Sequence, residues 1–263
     1  TKHLATPVIS DAKVGLQKIS EALGDWKAPD DWYKRAIKEK NEWDAYVEKQ
    51  SGPTNQEEPS YAHAVGAVYR NSDPSDIVVT AAGGLVGEVV QVWKPKQLNT
   101  FETEWGFSCM GYEISGALGI KMAKPDQDVV VFVGDGSYLL NNTDIYSSVI
   151  YDQKLIIIVC DNGGHMVINR LQLAKGGKEY ICNLRAARAT NLKFVDFENH
   201  AKSMGANAET VSSTSELEAA YKRAKDSDKT YVITIKTHGY EWLEGTAFWE
   251  SPTLQDPITD NNK

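Results

Sequence analysis

Three cysteines make up the whole thiol complement of these 263 residues. Cys109, Cys160 and Cys182 are odd in number and lack metal-ligand spacing, which argues against a disulfide framework and a cysteine-bound zinc. Reduced thiols in a cytoplasmic protein are the simplest reading. Positive charge is also scarce: 28 Lys and Arg stand against 36 Asp and Glu, a net charge of −8. No nucleic-acid partner is expected, because a phosphate backbone calls for a broad basic footprint. No apolar run approaches the ~20 residues of a membrane span, so no membrane partner is expected either. The opening stretch, TKHLATPVISDAK, lacks the uninterrupted apolar core of a secretory signal. No GxGxxG follows a strand, which disfavours a nicotinamide-binding domain. Repeats and low-complexity segments are missing too. With 41% hydrophobic and 24% charged residues, the chain has an ordinary globular composition. Its length suits one large α/β domain with an appendage.

The most informative stretch is 129–169. Residues 129–133 are a short apolar run that stops at Gly134-Asp135-Gly136. Residues 139–151 have helical spacing, with Leu140, Ile145 and Val149 as the expected buried stripe. Residues 155–160 are a second apolar run, stopping at Asp161-Asn162-Gly163-Gly164. Short Val- and Ile-rich runs bounded by glycine fit strands buried on both faces of a parallel sheet. Such a βαβ unit binds ligands at the carboxyl ends of its strands, where both polar clusters lie.

Around it, 8–23 read as a helix with Asp11 as N-cap and Val14, Ile19 and Leu23 on one side. Residues 30–49 form a second, highly charged helix with Trp32, Ala36, Trp43 and Tyr46 as a sparse apolar stripe, and Asp30 and Asp31 suit its start. SGPTNQEEPS is a linker by composition. Regular alternation follows: a helix from Tyr61, a strand over 77–82 ending in Gly83-Gly84, a helix from Leu85 stopped by Pro95, and a short strand over 99–101. A glycine-rich stretch over 106–124 feeds a helix with Gly116 and Gly119 on one face, a spacing that permits close approach of a helix or a cofactor and equally plain tight helix packing. A turn-rich stretch over 173–191 has no clear period. Then come a helix (196–204), a strand (207–211), a helix (215–225) and a last strand (229–236). This alternation predicts an α/β fold, an open parallel sheet flanked by helices. Three segments are expected: 1–57, 58–240, and a tail, 241–263, which with Tyr240 contains the aromatics Trp242, Phe248 and Trp249.

Asp135 in a Gly-Asp-Gly turn is equally an N-cap and a metal ligand when taken alone. Asn162 before Gly-Gly is equally a turn residue. Together with the Gly164 carbonyl they make an all-oxygen set of the kind Mg²⁺ prefers, with phosphates completing its shell. Gly136 and Ser137 at a helix start, and Gly83, Gly84 and Leu85 at another, offer backbone N–H groups to a diphosphate.

GDG followed about two dozen residues later by a pair ending in Asn resembles the thiamine-diphosphate motif of decarboxylases and synthases such as acetolactate synthase. Asp161 stands where that family has its first Asn; the metal-binding Asn is the second, Asn162. Ser108-Cys109-Met110-Gly111 resembles the family's GTMG segment. By that resemblance Met110 wedges the cofactor into its bent shape, and the Ser108 carbonyl accepts from the cofactor's 4′-amino group. Asp135, Asn162 and the Gly164 carbonyl would hold Mg²⁺. Gly83, Gly84, Leu85, Gly134, Gly136 and Ser137 would surround the diphosphate of thiamine diphosphate. The implied division is the end of a middle domain with its linker helix (1–57), a diphosphate-binding domain (58–240) and the tail.

Within the family, EWGFSCMGYEISGALG, DNGGH, INRLQ and AFWE are most similar to the branch that opens trihydroxycyclohexane-1,2-dione in myo-inositol breakdown. The resemblance implies a C–C bond hydrolase acting on a small cyclic dione. Its activating glutamate would come from an N-terminal pyrimidine-binding domain of a second subunit, in a homodimer or homotetramer. None of Glu21, Glu39, Glu42 or Glu48 has that glutamate's context, so this chain is expected to be the C-terminal part of a longer enzyme and inactive alone. His165 is a weak candidate for substrate or cofactor contact and equally a structural His. Asn169, Arg170 and Gln172 are weaker candidates for hydroxyl contacts. An acetolactate synthase-like or 2-oxo acid decarboxylase activity is the alternative, and a non-catalytic cofactor-binding module is another.

Overall fold

In the computed structural model, which describes residues 6–188 and 191–244, the apolar runs become one six-stranded sheet. The strands are β1 (Ile77–Thr80), β2 (Phe101–Thr103), β3 (Val129–Gly134), β4 (Ile156–Asp161), β5 (Asn207–Val211) and β6 (Tyr231–Lys236). Their order is β2-β1-β3-β4-β6-β5, and every pair is parallel. Helices cover both faces of such a sheet, so its central strands must be apolar at consecutive positions. Val130, Val131, Phe132 and Val133 pair with Ile156, Ile157, Ile158 and Val159 in one register, and all eight are buried.

The described helices are α1 (Ala12–Leu23), α2 (Asp30–Gln50), α3 (Tyr61–Arg70), α4 (Gly83–Val92), α5 (Tyr112–Ala123), α6 (Asp135–Leu140), α7 (Thr143–Ile150), α8 (Met166–Ala174), α9 (Phe197–Ser203) and α10 (Thr214–Asp226). Ile114 and Ala117 of α5, Ile145 of α7 and Phe197 and Ala201 of α9 join Val79, Val131, Ile157 and Val232 in one core layer. Helices α4 and α10 also pack on the sheet, and α3 packs on both of them. There Trp93 meets Phe132 edge-on at 6.0 Å between centroids, and Tyr69 meets Trp93 at 5.3 Å. Among the described residues no helix is long and apolar enough to cross a membrane.

The chain divides into two compact units, Thr1–Ala45 and Tyr46–Lys263. In the first, the Asp11 carboxylate accepts from the Val14 N–H at 3.1 Å and caps α1, while Val14, Ile19 and Leu23 stay about half exposed. Asp30 and Asp31 occupy the first turn of α2.

Four local expectations need correction. The helix expected over 139–151 breaks at Asn141 and Asn142, and Leu140 is exposed. The Asn141 amide donates to the Gly111 carbonyl and to Ser115 Oγ, and the Asn142 amide to the Tyr138 carbonyl. Such side chains compete with the helix for backbone partners. The strand expected over 99–101 lies instead at Phe101–Thr103, because Asn99 adopts a left-handed conformation (φ 61°). Helix α8 was not anticipated at all. Gly116 and Gly119 make no shared contact face: a Cβ at Gly116 would strike the chain's own Tyr112 ring, and at Gly119 it would meet open space. Phe248 and Trp249 lie outside the described residues.

The topology locates the ligand crevice. The crossover from β1 runs to the edge strand β2, whereas that from β3 runs the other way to β4. Strands β1 and β3 are therefore the switch point, and a cleft opens beyond their carboxyl ends.

Candidate functional site

Four turns meet at that cleft. The β1–α4 turn passes through Gly83 (φ 78°), and no side chain caps α4, so the amides of its first turn are not used by a cap. A Cβ at Gly84 would come within 2.5 Å of the Trp242 ring, so only glycine lets this turn and that indole touch. The β3–α6 turn carries Asp135, Gly136 and Ser137, again with no side-chain cap. The β4–α8 turn needs two glycines with positive φ, Gly163 (79°) and Gly164 (139°). The 104–111 loop is held by Glu104, whose carboxylate accepts from the Phe107 and Cys109 amides at 3.2 and 2.8 Å, with Ser108 left-handed at φ 53°.

A cleft of about 180 Å³ is lined by residues from all four. Gly83, Gly84 and Leu85 come from the first, Gly134, Asp135, Gly136 and Ser137 from the second, Asn162, Gly164 and His165 from the third, and Ser108 and Met110 from the fourth. Asn169, Arg170 and Gln172 do not line it. Asn169 is buried and donates to Glu179 at 3.1 Å, the Arg170 guanidinium lies 5.1 Å over the Trp242 ring, and Gln172 donates to the Lys178 carbonyl.

The oxygen chemistry is centred on Asp135 and Asn162, both buried. Asp135 Oδ2 accepts from the Gly164 N–H at 2.7 Å, which joins the second and third turns. The Asn162 amide donates to the Tyr61 hydroxyl at 2.6 Å, leaving Asn162 Oδ1 buried without a hydrogen-bond partner. An orphaned buried oxygen is costly unless something binds it. Burial, and then the charge of Asp161, push the Asp135 carboxyl up to about 7. Burial also raises Asp161, whose Oδ1 accepts from the Gly163 amide at 3.0 Å. A buried acid, a partly buried acid beside it and an unpaired amide oxygen make a site that a hard divalent cation suits. Among the described residues no group of three or more His, Cys, Asp or Glu side chains could hold a metal, so a cation here would depend on the amide and backbone oxygens. Phosphates would fit beside it: a Cβ at Gly136 would fall 2.6 Å from the His165 ring and 3.5 Å from Met110, so the bare glycine keeps that wall open.

Sequence reasoning missed Tyr61 and the α8 residues Met166, Val167 and Ile168, which also line the cleft, and it missed Trp242 and Glu113, which do not line it but touch its residues Gly84 and Ser137. A lone acid in YEISGALG was the one available signal for Glu113. Tyr61 and Trp242 gave none.

The fold is that of thiamine-diphosphate enzymes. The chain superposes on the thiamine diphosphate-dependent 4-hydroxybenzoylformate decarboxylase of Rhodococcus jostii RHA1 with a TM-score of 0.61 at 18% identity, over 73% of this chain and 34% of that one. It superposes on benzoylformate decarboxylase of Polynucleobacter necessarius with a TM-score of 0.60 at 21% identity, over 73% and 36%. Residues 81–235 match the family "Thiamine pyrophosphate enzyme, C-terminal TPP binding domain", and the chain belongs to it. In sequence it is similar to 3D-(3,5/4)-trihydroxycyclohexane-1,2-dione hydrolase of Lacticaseibacillus casei, 32% identical over 94% of this chain and 42% of that protein. The same enzyme of Bacillus subtilis (strain 168) is 32% identical over 92% and 43%. The chain thus spans less than half the length of these relatives.

Proposed function

We propose that this chain is the part of a carbon–carbon bond hydrolase that binds thiamine diphosphate and Mg²⁺, and that the complete enzyme opens trihydroxycyclohexane-1,2-dione to 5-deoxyglucuronate in myo-inositol degradation. One observation supports the reading above all: cofactor-site residues singled out from four separate turns line a single cleft that contains a buried, unpaired amide oxygen. In this reading Asp135, Asn162 Oδ1 and the Gly164 carbonyl hold the cation. The amides of Gly83, Gly84, Leu85, Gly136 and Ser137 face the diphosphate. Met110 and the Ser108 carbonyl orient the remainder of the cofactor. When bound, the cofactor supplies covalent electron-sink chemistry at the carbonyl. The chain's own residues anchor it, and the apolar wall of Met110, Met166 and Ile168 limits water at the site. His165 faces the same cleft and is the nearest candidate for substrate contact.

The domain reading follows: 58–240 is the diphosphate-binding domain, 1–57 the end of a middle domain with its linker helix, and 241–263 a tail. The relatives' greater length supports an additional N-terminal domain in the complete enzyme, which would supply the activating glutamate from a second cytoplasmic subunit of a homodimer or homotetramer.

Calorimetry tests the site. Thiamine diphosphate should bind this chain only with Mg²⁺, and Asp135→Ala with Asn162→Ala should abolish binding. Undiminished binding by that double variant would overturn the metal assignment. For the activity, enzyme extended to the relatives' full length should consume the cyclic dione, whereas this chain alone should show no turnover. Acetolactate formation from pyruvate at a comparable rate would favour a synthase instead.

A further inference from the structure

Glu113 is a carboxylate that the cofactor reading does not use. It sits in the first turn of α5, is 1% exposed and does not line the cleft. Three donors reach it from three separate segments. The Ala82 amide, at the N-cap of α4, donates to Oε1 at 3.2 Å. The Gly111 amide, at the N-cap of α5, donates to Oε2 at 2.9 Å. Ser137 Oγ, in the first turn of α6, lies 2.8 and 2.9 Å from the two oxygens. Every partner is a donor, and an ionised carboxylate is acceptor-only with room for all of them. Burial pushes the Glu113 carboxyl up, and these donors oppose it.

We infer that Glu113 is a positioning residue, an internal anion that fastens the β1–α4, 108–111 and β3–α6 segments into one rim and so sets how well that rim binds a diphosphate. A helix-start acid serving only α5 would have no need of the Ala82 amide or of Ser137. The segment carrying Ser108 and Met110 ends at Gly111, which is held on both sides. Its N–H reaches Glu113 and Ser137 Oγ (3.0 Å), and its carbonyl accepts from the Asn141 amide (3.3 Å). Gly111 adopts φ 94°, and a Cβ there would fall 2.8 Å from Asn141, so this junction has little freedom. A corollary concerns Ser137. Its one hydroxyl proton goes to Glu113 while its oxygen accepts from Gly111, so toward a phosphate it can offer only its backbone N–H.

This inference rests on the cofactor reading for its ligand, and its test separates the two. Glu113→Gln keeps the volume but turns one acceptor into an NH₂ that faces a donor. Hydrogen exchange on the whole chain should show protection lost in 82–85, 108–112 and 135–138 and kept in the β4–β6 core, with a melting temperature within a few degrees of the parent. Calorimetry with thiamine diphosphate and MgCl₂ should show affinity reduced about tenfold or more. Unchanged exchange in the three segments, or unchanged affinity despite loosened segments, overturns the inference. If the parent chain binds no thiamine diphosphate under saturating Mg²⁺, the cofactor reading fails, and the exchange pattern alone then decides whether Glu113 fastens the rim. A general loss of stability without local loosening also overturns it.

Discussion

Gly136 and Gly164 are both bare positions on the cleft, yet they are bare for different reasons. At Gly164 the backbone sits at φ 139° and a Cβ would fall 2.3 Å from the Cys182 carbonyl, so both conformation and backbone crowding forbid a side chain. At Gly136 the obstacle is the tip of His165, an exposed ring that can rotate away. Gly164→Ala should therefore lower folding stability by at least ~2 kcal/mol. Gly136→Ala should lower it by less than about 1 kcal/mol but weaken thiamine diphosphate binding about tenfold or more, roughly 1.4 kcal/mol. Denaturant titration and calorimetry on the two variants separate these outcomes. Equal destabilisation by both would contradict the assignment of the Gly136 side of the cleft to a ligand.

At the scale of elements, the segment after β6 is joined to the site through α4. The Leu243 amide donates to both oxygens of Glu88, at 3.0 and 3.3 Å, and Trp242 packs on Gly84, on Tyr61 (6.0 Å, edge-on) and under Arg170. Glu88 is 1% exposed, and burial raises its carboxyl from 4.5 to about 7. The folded state thus holds this proton more tightly than the unfolded state, and stability falls as pH rises. The contribution is fully present below about pH 4.5 and is lost as pH passes through about 7; it amounts to something on the order of 3 kcal/mol. Glu88→Gln keeps an acceptor for Leu243 and cannot ionise. Its stability should exceed that of the parent at pH 8 by more than at pH 4.5, as read by denaturant midpoints at the two values. Asp135 contributes in the same direction and remains in both proteins, so the difference between them isolates Glu88. Identical pH profiles would mean that Glu88 is not ionising in this window.

For the molecule as a whole, the sheet has a binding pole and a stability pole. The cleft occupies the carboxyl ends of β1, β3 and β4. At the amino ends Lys225 of α10 is paired with Asp76 at 2.6 Å, Asp73 at 2.7 Å and Asp128 at 3.1 Å, and Lys154 reaches Asp128 at 3.2 Å. Tyr221 donates to Asp76 at 2.7 Å, so the residues preceding β1 and β3 are tied to α10. The network is partly buried, and removing Lys225 leaves the carboxylate of Asp76, 2% exposed, without its charge partner. Lys225→Met should lower stability by about 3 kcal/mol, seen as a lower melting temperature, and leave thiamine diphosphate affinity within about twofold. A fall in affinity larger than the fall in stability would show that the two poles are coupled.

The parallel sheet was legible in the sequence because a strand buried on both faces must be apolar throughout, and the runs around Val131 and Ile158 are. Gly134-Asp135-Gly136 and Asn162-Gly163-Gly164 were legible because a strand that ends on glycine beside a polar residue marks its carboxyl-end turn. The break at Asn141, the displaced β2 and the whole of α8 were not, because side-chain hydrogen bonds and left-handed residues overrode local spacing. Nor were the roles of Tyr61, Glu113 and Trp242. Tyr61 meets Asn162 across 101 positions of chain, and Glu113 meets Ser137 and Ala82 across 24 and 31. Sequence by itself determined which turns carry side-chain oxygens and backbone amides at strand ends, since that follows from residue type and from the period of a buried strand. Only the tertiary structure decided that these turns share one cleft, that Asn162 is left with an unpaired oxygen, and that a buried glutamate joins three helix starts. Those depend on strand order and on contacts between distant segments, which no local pattern encodes.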